Sequence, residues 1–297
     1  TLGALRAMTR FPKKKKRMKV KIWTSAFLSG IILSACQGPT TPTEHDHDHK
    51  SDSTQTKDST ATLLYEGEGH LANIRQLTDG GDNAEAYFSF DGKMAVFQSN
   101  FKDWEVNCDQ IFYFNIEGDD LMNKRPPMIS TGMGRTTCSY FLPGDSTIVY
   151  ASTHLGAEAC PPEPGHEEGY VWPIYTDYDI FVADLKGNIL DTLTNSPGYD
   201  AEPTVSPKGD RIVFTSTRSG DLELWTMKLD GSDKKQVTSG LGYDGGAFFS
   251  PDGSKIIFRA SRPKTKEEID EYKSLFSEGL VQPTNMELFI CNSDGSD

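Results

Sequence analysis

The sequence predicts an all-β fold, a β-propeller of four-stranded blades, from three observations. One pattern of apolar runs and tight turns repeats four times along the chain. Two of its copies lie 44 residues apart, from Gly209 to Gly253, within the span of about 40–50 residues that one propeller blade occupies. The runs are rich in aromatic and β-branched residues, and the turns between them carry glycine, which supplies a positive φ.

Residues 1–35 read as a targeting segment ahead of the fold. A basic stretch ending near Lys21 precedes an apolar run from Ala26 to Leu33, broken only by Ser29 and Gly30. That run is too short to span a bilayer and suits a signal-peptide core, with Met18 the expected start and upstream residues before it. It ends in Leu33-Ser34-Ala35-Cys36, which resembles a bacterial lipobox. The resemblance implies cleavage before Cys36 and lipid on its sulfur, and Gln37 fits passage to the outer membrane, facing the periplasm. Residues 36–61 are rich in Thr, Ser, Asp and Pro and are expected to be a flexible tether. The tract Glu44-His45-Asp46-His47-Asp48-His49 within it has the side chains to chelate a transition ion weakly, but with no fixed geometry behind the imidazoles it reads foremost as a solvated polar leash.

The propeller is expected over residues 62–297. Its first copy reads GDNAEAYFSFDGKMAVFQS then QIFYFNIEG; the second, GRTTCSYFLPGDSTIVYAS then DIFVADLKG. The third reads GYDAEPTVSPKGDRIVFTS then ELWTMKLDG; the fourth, GYDGGAFFSPDGSKIIFRAS then ELFICNSDG. Turn glycines Gly92, Gly144, Gly209 and Gly253 mark the register, as do the closing glycines Gly118, Gly187, Gly231 and Gly295. The blades are expected at about residues 77–131, 132–194, 195–238 and 239–297, with residues 70–78 as the outer strand of a closing blade. A closed propeller has about four to eight blades. With four visible and both ends out of register, the propeller is expected to be incomplete.

The stretches Phe88-Ser89-Phe90-Asp91-Gly92, Val205-Ser206-Pro207-Lys208-Gly209 and Phe249-Ser250-Pro251-Asp252-Gly253 resemble the TolB-type, WD40-like PD40 repeat of bacterial envelope proteins. Leu77-Thr78, Leu193-Thr194 and Val237-Thr238 match the strand-ending pair of that family. The resemblance covers about residues 70–297 and implies the fold. It leaves function open, because propellers host many activities.

In a blade the innermost strand runs down from the top face. Its leading loop therefore shares that face with the loop between the second and third strands, where insertions fall at residues 154–177 and 262–285. The second is expected to hold a short helix: Thr265 caps it, Glu268 completes a capping box, Ile269, Tyr272 and Phe276 share a face, and Gly279 ends it. The first, mostly Pro, Gly, Glu and aromatic residues, reads as an ordered loop. Long loops on one face of a rigid scaffold carry binding function.

Glu85, Asp200, Glu202 and Asp244 are expected to ring the mouth of the central channel, facing His154, Arg218 and Arg262 at the ends of second strands. Asp200, Glu202 and Asp244 are the oxygen donors from which a calcium site would be built; structural pairing with the facing cations is the competing expectation. With Cys36 lipidated, one disulfide among Cys108, Cys138 and Cys160 is expected, and Cys291 reads as a buried thiol in a third strand.

The formal charge is −13, and without residues 1–35 the chain keeps 21 basic against 43 acidic residues. Such a surface repels nucleic acid and anionic lipid, so the membrane contact expected is the lipid anchor alone. No Gly-x-Ser-x-Gly, His-Glu-x-x-His or phosphate-binding glycine loop occurs, and outside the tether the histidines are His70, His154 and His166. The expected function is a scaffold for an envelope protein or peptide, with no cofactor beyond the calcium considered above. The alternative is the propeller domain of a glycan- or peptide-processing enzyme, either peptidase-associated or polysaccharide-lyase-like.

Overall fold

The computed structural model describes residues 67–165 and 169–296, all within the unit Thr62–Asp297. The expected signal peptide, Cys36, the tether and His166 lie outside the described residues. Blade one comprises β1 (Asn83–Phe88), β2 (Met94–Ser99) and β3 (Gln110–Asn115), and blade two β4 (Thr136–Phe141), β5 (Thr147–Ser152), β7 (Asp179–Asp184) and β8 (Ile189–Thr192). Between β5 and β7 the first insertion holds a short strand, β6 (Trp172–Pro173). Blade three comprises β9 (Asp200–Val205), β10 (Arg211–Ser216), β11 (Glu223–Lys228) and β12 (Lys235–Gln236). Blade four comprises β13 (Asp244–Phe249), β14 (Lys255–Ala260) and β16 (Glu287–Asn292), with α1 (Lys266–Ser277) and β15 (Leu280–Val281) inserted before β16. Each blade is an antiparallel meander in sequence order.

The outer edge of blade one is irregular. Ile129 N–H donates to Ile111 O at 2.8 Å and Tyr113 N–H to Pro127 O at 3.1 Å. Pro126 and Pro127 have no N–H to give, so a regular fourth strand does not form. Residues 70–78, expected as an outer strand, join no sheet. Asn73 breaks the extended run with φ 55°, and among the described residues the outer edge of β16, bonded to β14, stays unpaired.

The bottom turns follow their sequence closely. In blade four Gly253 N–H donates to Ser250 O at 2.7 Å, while the Ser250 hydroxyl accepts from Lys255 N–H at 3.0 Å. Blade two corrects the expected register. There Asp145, with φ 55°, occupies the left-handed position that glycine holds elsewhere, and Gly144 sits one residue early. Aspartate tolerates that conformation, and its carboxylate caps the neighbouring turn, accepting from Phe90 N–H at 2.8 Å and Asp91 N–H at 3.0 Å.

Blades pack through apolar layers, such as Val149, Ile180, Val205, Ile212 and Phe214 between blades two and three. The closing glycines have a second task at these seams. A Cβ on Gly187 would lie 3.1 Å from Ile129 O, on Gly231 2.9 Å from Leu193 O, and on Gly295 2.7 Å from Val237 O. Each presses its turn onto the outer edge of the preceding blade. Gly118 has nothing within 4 Å of that point. Gly231→Ala is therefore expected to destabilise by about 2–4 kcal/mol, adding a backbone clash to left-handed strain. Gly118→Ala carries the strain alone, about 1–2 kcal/mol. Urea unfolding of both variants measures the difference, and equal losses would remove the inter-blade contact as the cause.

Candidate functional site

All four innermost strands carry a bulge at their third residue, where the ladder to the second strand slips. The residues there have left-handed φ: Glu85 52°, Cys138 43°, Glu202 59° and Gly246 58°. Positions one and three of a regular strand point the same way, and the bulge breaks that alternation. The expected ring of four carboxylates is accordingly two separate sets. Glu85 and Glu202 reach the channel, whereas Asp200 and Asp244, the first residues of β9 and β13, turn into the blade seams and are buried.

The seam set is paired. Arg218 Nη2 donates to both oxygens of Asp200, at 2.8 and 2.7 Å, and its guanidinium lies 5.1 Å from the Trp225 ring centroid. Arg262 pairs with Asp244 and lies 5.1 Å from the Phe289 ring. Blade two has Thr136 in place of the aspartate and His154 in place of the arginine. That imidazole is buried against Phe181, with ring centroids 4.4 Å apart, and its Nδ1 is 2.9 Å from Ser152 Oγ. Burial pushes the His154 pKa down. Among the described residues no three His, Cys, Asp or Glu side chains are arranged to hold a metal ion.

In blades one to three the first residue of the third strand completes the seam. Thr238 Oγ1 donates to Glu223 at 2.6 Å and Thr194 Oγ1 to Asp179 at 2.9 Å, while Ser130 Oγ donates to Gln110 Oε1 at 2.7 Å. Desolvation, opposed by the Thr238 hydroxyl and reinforced by neighbouring Asp244, raises the Glu223 carboxyl from 4.5 to about 7. A raised carboxyl pKa means that the folded state holds a proton the unfolded chain releases. Its contribution is fully present below the unfolded value and is lost as pH rises toward and through about 7. Glu223→Gln, which copies the amide of Gln110, is expected to flatten this dependence. It should stabilise the protein by about 1–2 kcal/mol at alkaline pH after solvent screening. Thermal melts between acid and alkaline pH check this, and a variant with the same slope as the parent would exclude Glu223 as the source.

Above the channel the two insertions meet. Pro173 pairs with Leu280 and Trp172 with Val281 in an antiparallel ladder, and Ile174 N–H donates to Gly279 O at 2.6 Å. The helix α1 carries the expected capping box of Thr265 and Glu268. Its Tyr272 is buried and bonds Asp221 of blade three. The first insertion is thus more than the loop expected of it; it is half of a roof. Cys108 and Cys160 form a disulfide that ties this half to blade one. Cys138 and Cys291 are free thiols, the latter buried in β16.

Roof and bulges line a half-open cavity of about 390 Å³ at the channel mouth. Trp172, Tyr175 and Tyr178 line it from the roof, Tyr199 and Tyr243 from the blades, and Glu85, Cys138 and Glu202 from the bulges. Glu202 accepts from Tyr243 Oη at 2.8 Å to each oxygen, from Tyr199 Oη at 3.2 Å and from Gly246 N–H at 2.6 Å. Burial, with Glu85 and Glu202 adding to it, pushes the Cys138 thiol well up, so it stays protonated. Burial also raises Asp109, against the pull of Arg135 at 3.4 Å.

Arg259 enters the same cavity from β14, and the sequence reading missed it together with the tyrosines. The available signal was Gly245-Gly246, where other blades carry larger residues. A Cβ on Gly246 would lie 2.9 Å from Arg259 Nε, and one on Gly245 would lie 2.1 Å from Tyr243 Oη. The glycines make the room that these side chains fill.

Residues 170–285 match the family model described as the TolB beta propeller domain, PD40. No curated protein sequence matches the chain. Among solved structures, TolB from Acinetobacter baumannii is similar at 16% identity and a TM-score of 0.48, over 73% of this chain and 42% of that one. A TolB from Agrobacterium tumefaciens is similar at 19% identity and a TM-score of 0.39, over 73% and 79%. A puromycin-hydrolyzing peptidase from Mycobacterium tuberculosis is similar at 13% identity and a TM-score of 0.43, over 64% and 31%. The chain thus spans less than half the length of the Acinetobacter protein.

Proposed function

We propose that this chain, a TolB-type PD40 propeller by its repeats and its family match, is a lipid-anchored scaffold of the bacterial envelope that docks a protein or peptide at the mouth of its channel. The observation that carries this reading is the roofed cavity of about 390 Å³, set on the face where the long insertions gather, with five tyrosines and a tryptophan in its lining. Aromatic side chains with one polar tip give large contact area and orient a partner by hydrogen bonds. The rim adds Tyr170, 70% exposed and 6.3 Å from Trp172 between ring centroids. Anchoring at Cys36 and envelope placement rest on the lipobox-like Leu33-Ser34-Ala35-Cys36.

The test is photo-crosslinking in the native host from benzoylphenylalanine placed at Tyr170, with Asp252 on the opposite turns as control. A discrete adduct from Tyr170 and none from Asp252 is expected. No adduct, or the same adducts from both sites, would count against docking on this face. Cys36→Ser is expected to move the chain from the membrane fraction to the soluble one; retention in the membrane fraction would remove the lipid anchor from the proposal.

A further inference from the structure

Among the described residues the cavity contains one charge that has no counter-charge at contact distance. Its carboxylates are engaged: Glu202 by two tyrosine hydroxyls and a backbone N–H, Glu85 by the Tyr87 hydroxyl, and Asp109 by Arg135 at 3.4 Å. Arg135 also pairs with Glu163. Arg259 makes no ion pair among the described residues, and its Nε is buried with no hydrogen-bond partner.

The side chain is nevertheless held in place. Its guanidinium lies 4.7 Å from the Trp172 ring centroid and 5.9 Å from that of Tyr243. Burial works against its charge, and Tyr243, which also hydrogen-bonds the guanidinium, outweighs that effect together with Glu202 and Glu85. Stacking on an aromatic face fixes the plane of a guanidinium and leaves its edge, with the N–H donors, for an in-plane acceptor. With Nε unpartnered and five N–H donors in its fork, a desolvated guanidinium gains most from a planar anion that takes two of them at once.

We infer that Arg259 is the receptor for a carboxylate at the end of a docked peptide chain, an inference that rests on the docking function proposed above. The acceptor is a single negative charge, the one that the Arg259 guanidinium balances, while Glu85 and Glu202 disfavour any charge beyond it. The aromatic walls take the apolar body that carries it. A cationic ligand fits less well, since the carboxylates that would receive it already have donors.

The experiment uses the full chain and two pools of identical random hexapeptides lacking Asp and Glu, one ending in a free carboxylate and one in an amide. Binding is measured by equilibrium dialysis with mass-spectrometric quantification. The acids are expected to bind about tenfold or more tightly than the amides. Arg259→Gln should abolish that preference, and Arg259→Lys, which keeps the charge and loses the fork, should retain part of it. The acid–amide comparison on the unaltered protein stands even where a variant fails to fold. Equal binding of the two pools, or a preference that survives in Arg259→Gln, overturns the carboxylate assignment and leaves docking intact. Binding by neither pool overturns both.

Discussion

One residue in each innermost strand is held in the left-handed conformation, and the geometry of the channel depends on it. For Glu85, Cys138 and Glu202 this backbone state is unfavourable by about 1–2 kcal/mol each. It persists because both flanks of the bulge are fixed by the ladder to the second strand and by packing between blades. What it achieves is a change of direction: the third side chain leaves the seam and faces the axis. Without that change Glu202 would not reach the hydroxyls of Tyr199 and Tyr243, which come from two different blades. Gly246 meets the same constraint without a side chain, and the space it leaves is occupied by Arg259.

The seams obey a second rule that is polar rather than apolar. A hydroxyl at the end of an outer strand, Ser130, Thr194 or Thr238, donates to the first side chain of its own third strand and accepts from a backbone N–H of that strand. Across the seams that follow Thr194 and Thr238 the next blade begins with a buried aspartate neutralised by an arginine. Burial of two carboxylates so near one another is tolerable only where a proton or a cation is shared. The seam is thereby favoured below about pH 7, where Glu223 keeps its proton, while Glu85 and Glu202 in the cavity above it are satisfied by hydroxyls and a backbone amide.

Much of this was legible in the amino-acid order where the determinant is local. Ser250-Pro251-Asp252-Gly253 encodes its own turn, and Thr265 with Glu268 encodes the start of a helix, because the groups that bond lie within a few residues. Asp145 misled the register for an equally local reason, since aspartate can replace glycine in a left-handed position. The channel site was half legible: Glu85 and Glu202 were picked out, but so were Asp200 and Asp244, because period-two reasoning cannot anticipate a bulge. The roof was not legible. A two-residue strand containing a proline has no periodicity to detect, and its partner at Leu280 and Val281 lies in another blade's insertion. Arg259 was hidden in the same way, as a cation inside an apolar strand whose role is set by two glycines across the ladder.

The ladder between Trp172 and Val281 also fixes an order of assembly. Blades two and three are each built from contiguous sequence, so their strands can pair as soon as they are synthesised. The roof joins segments separated by the whole of blade three and most of blade four, and closing so long a loop comes late. The cavity therefore comes into being only after the scaffold beneath it is complete. Two residue pairs, one helix and a disulfide hold the roof in place, far fewer contacts than hold a blade, so its local opening is expected to need less free energy than unzipping one. A partner that binds there meets a site whose closure is an equilibrium separate from the folding of the propeller.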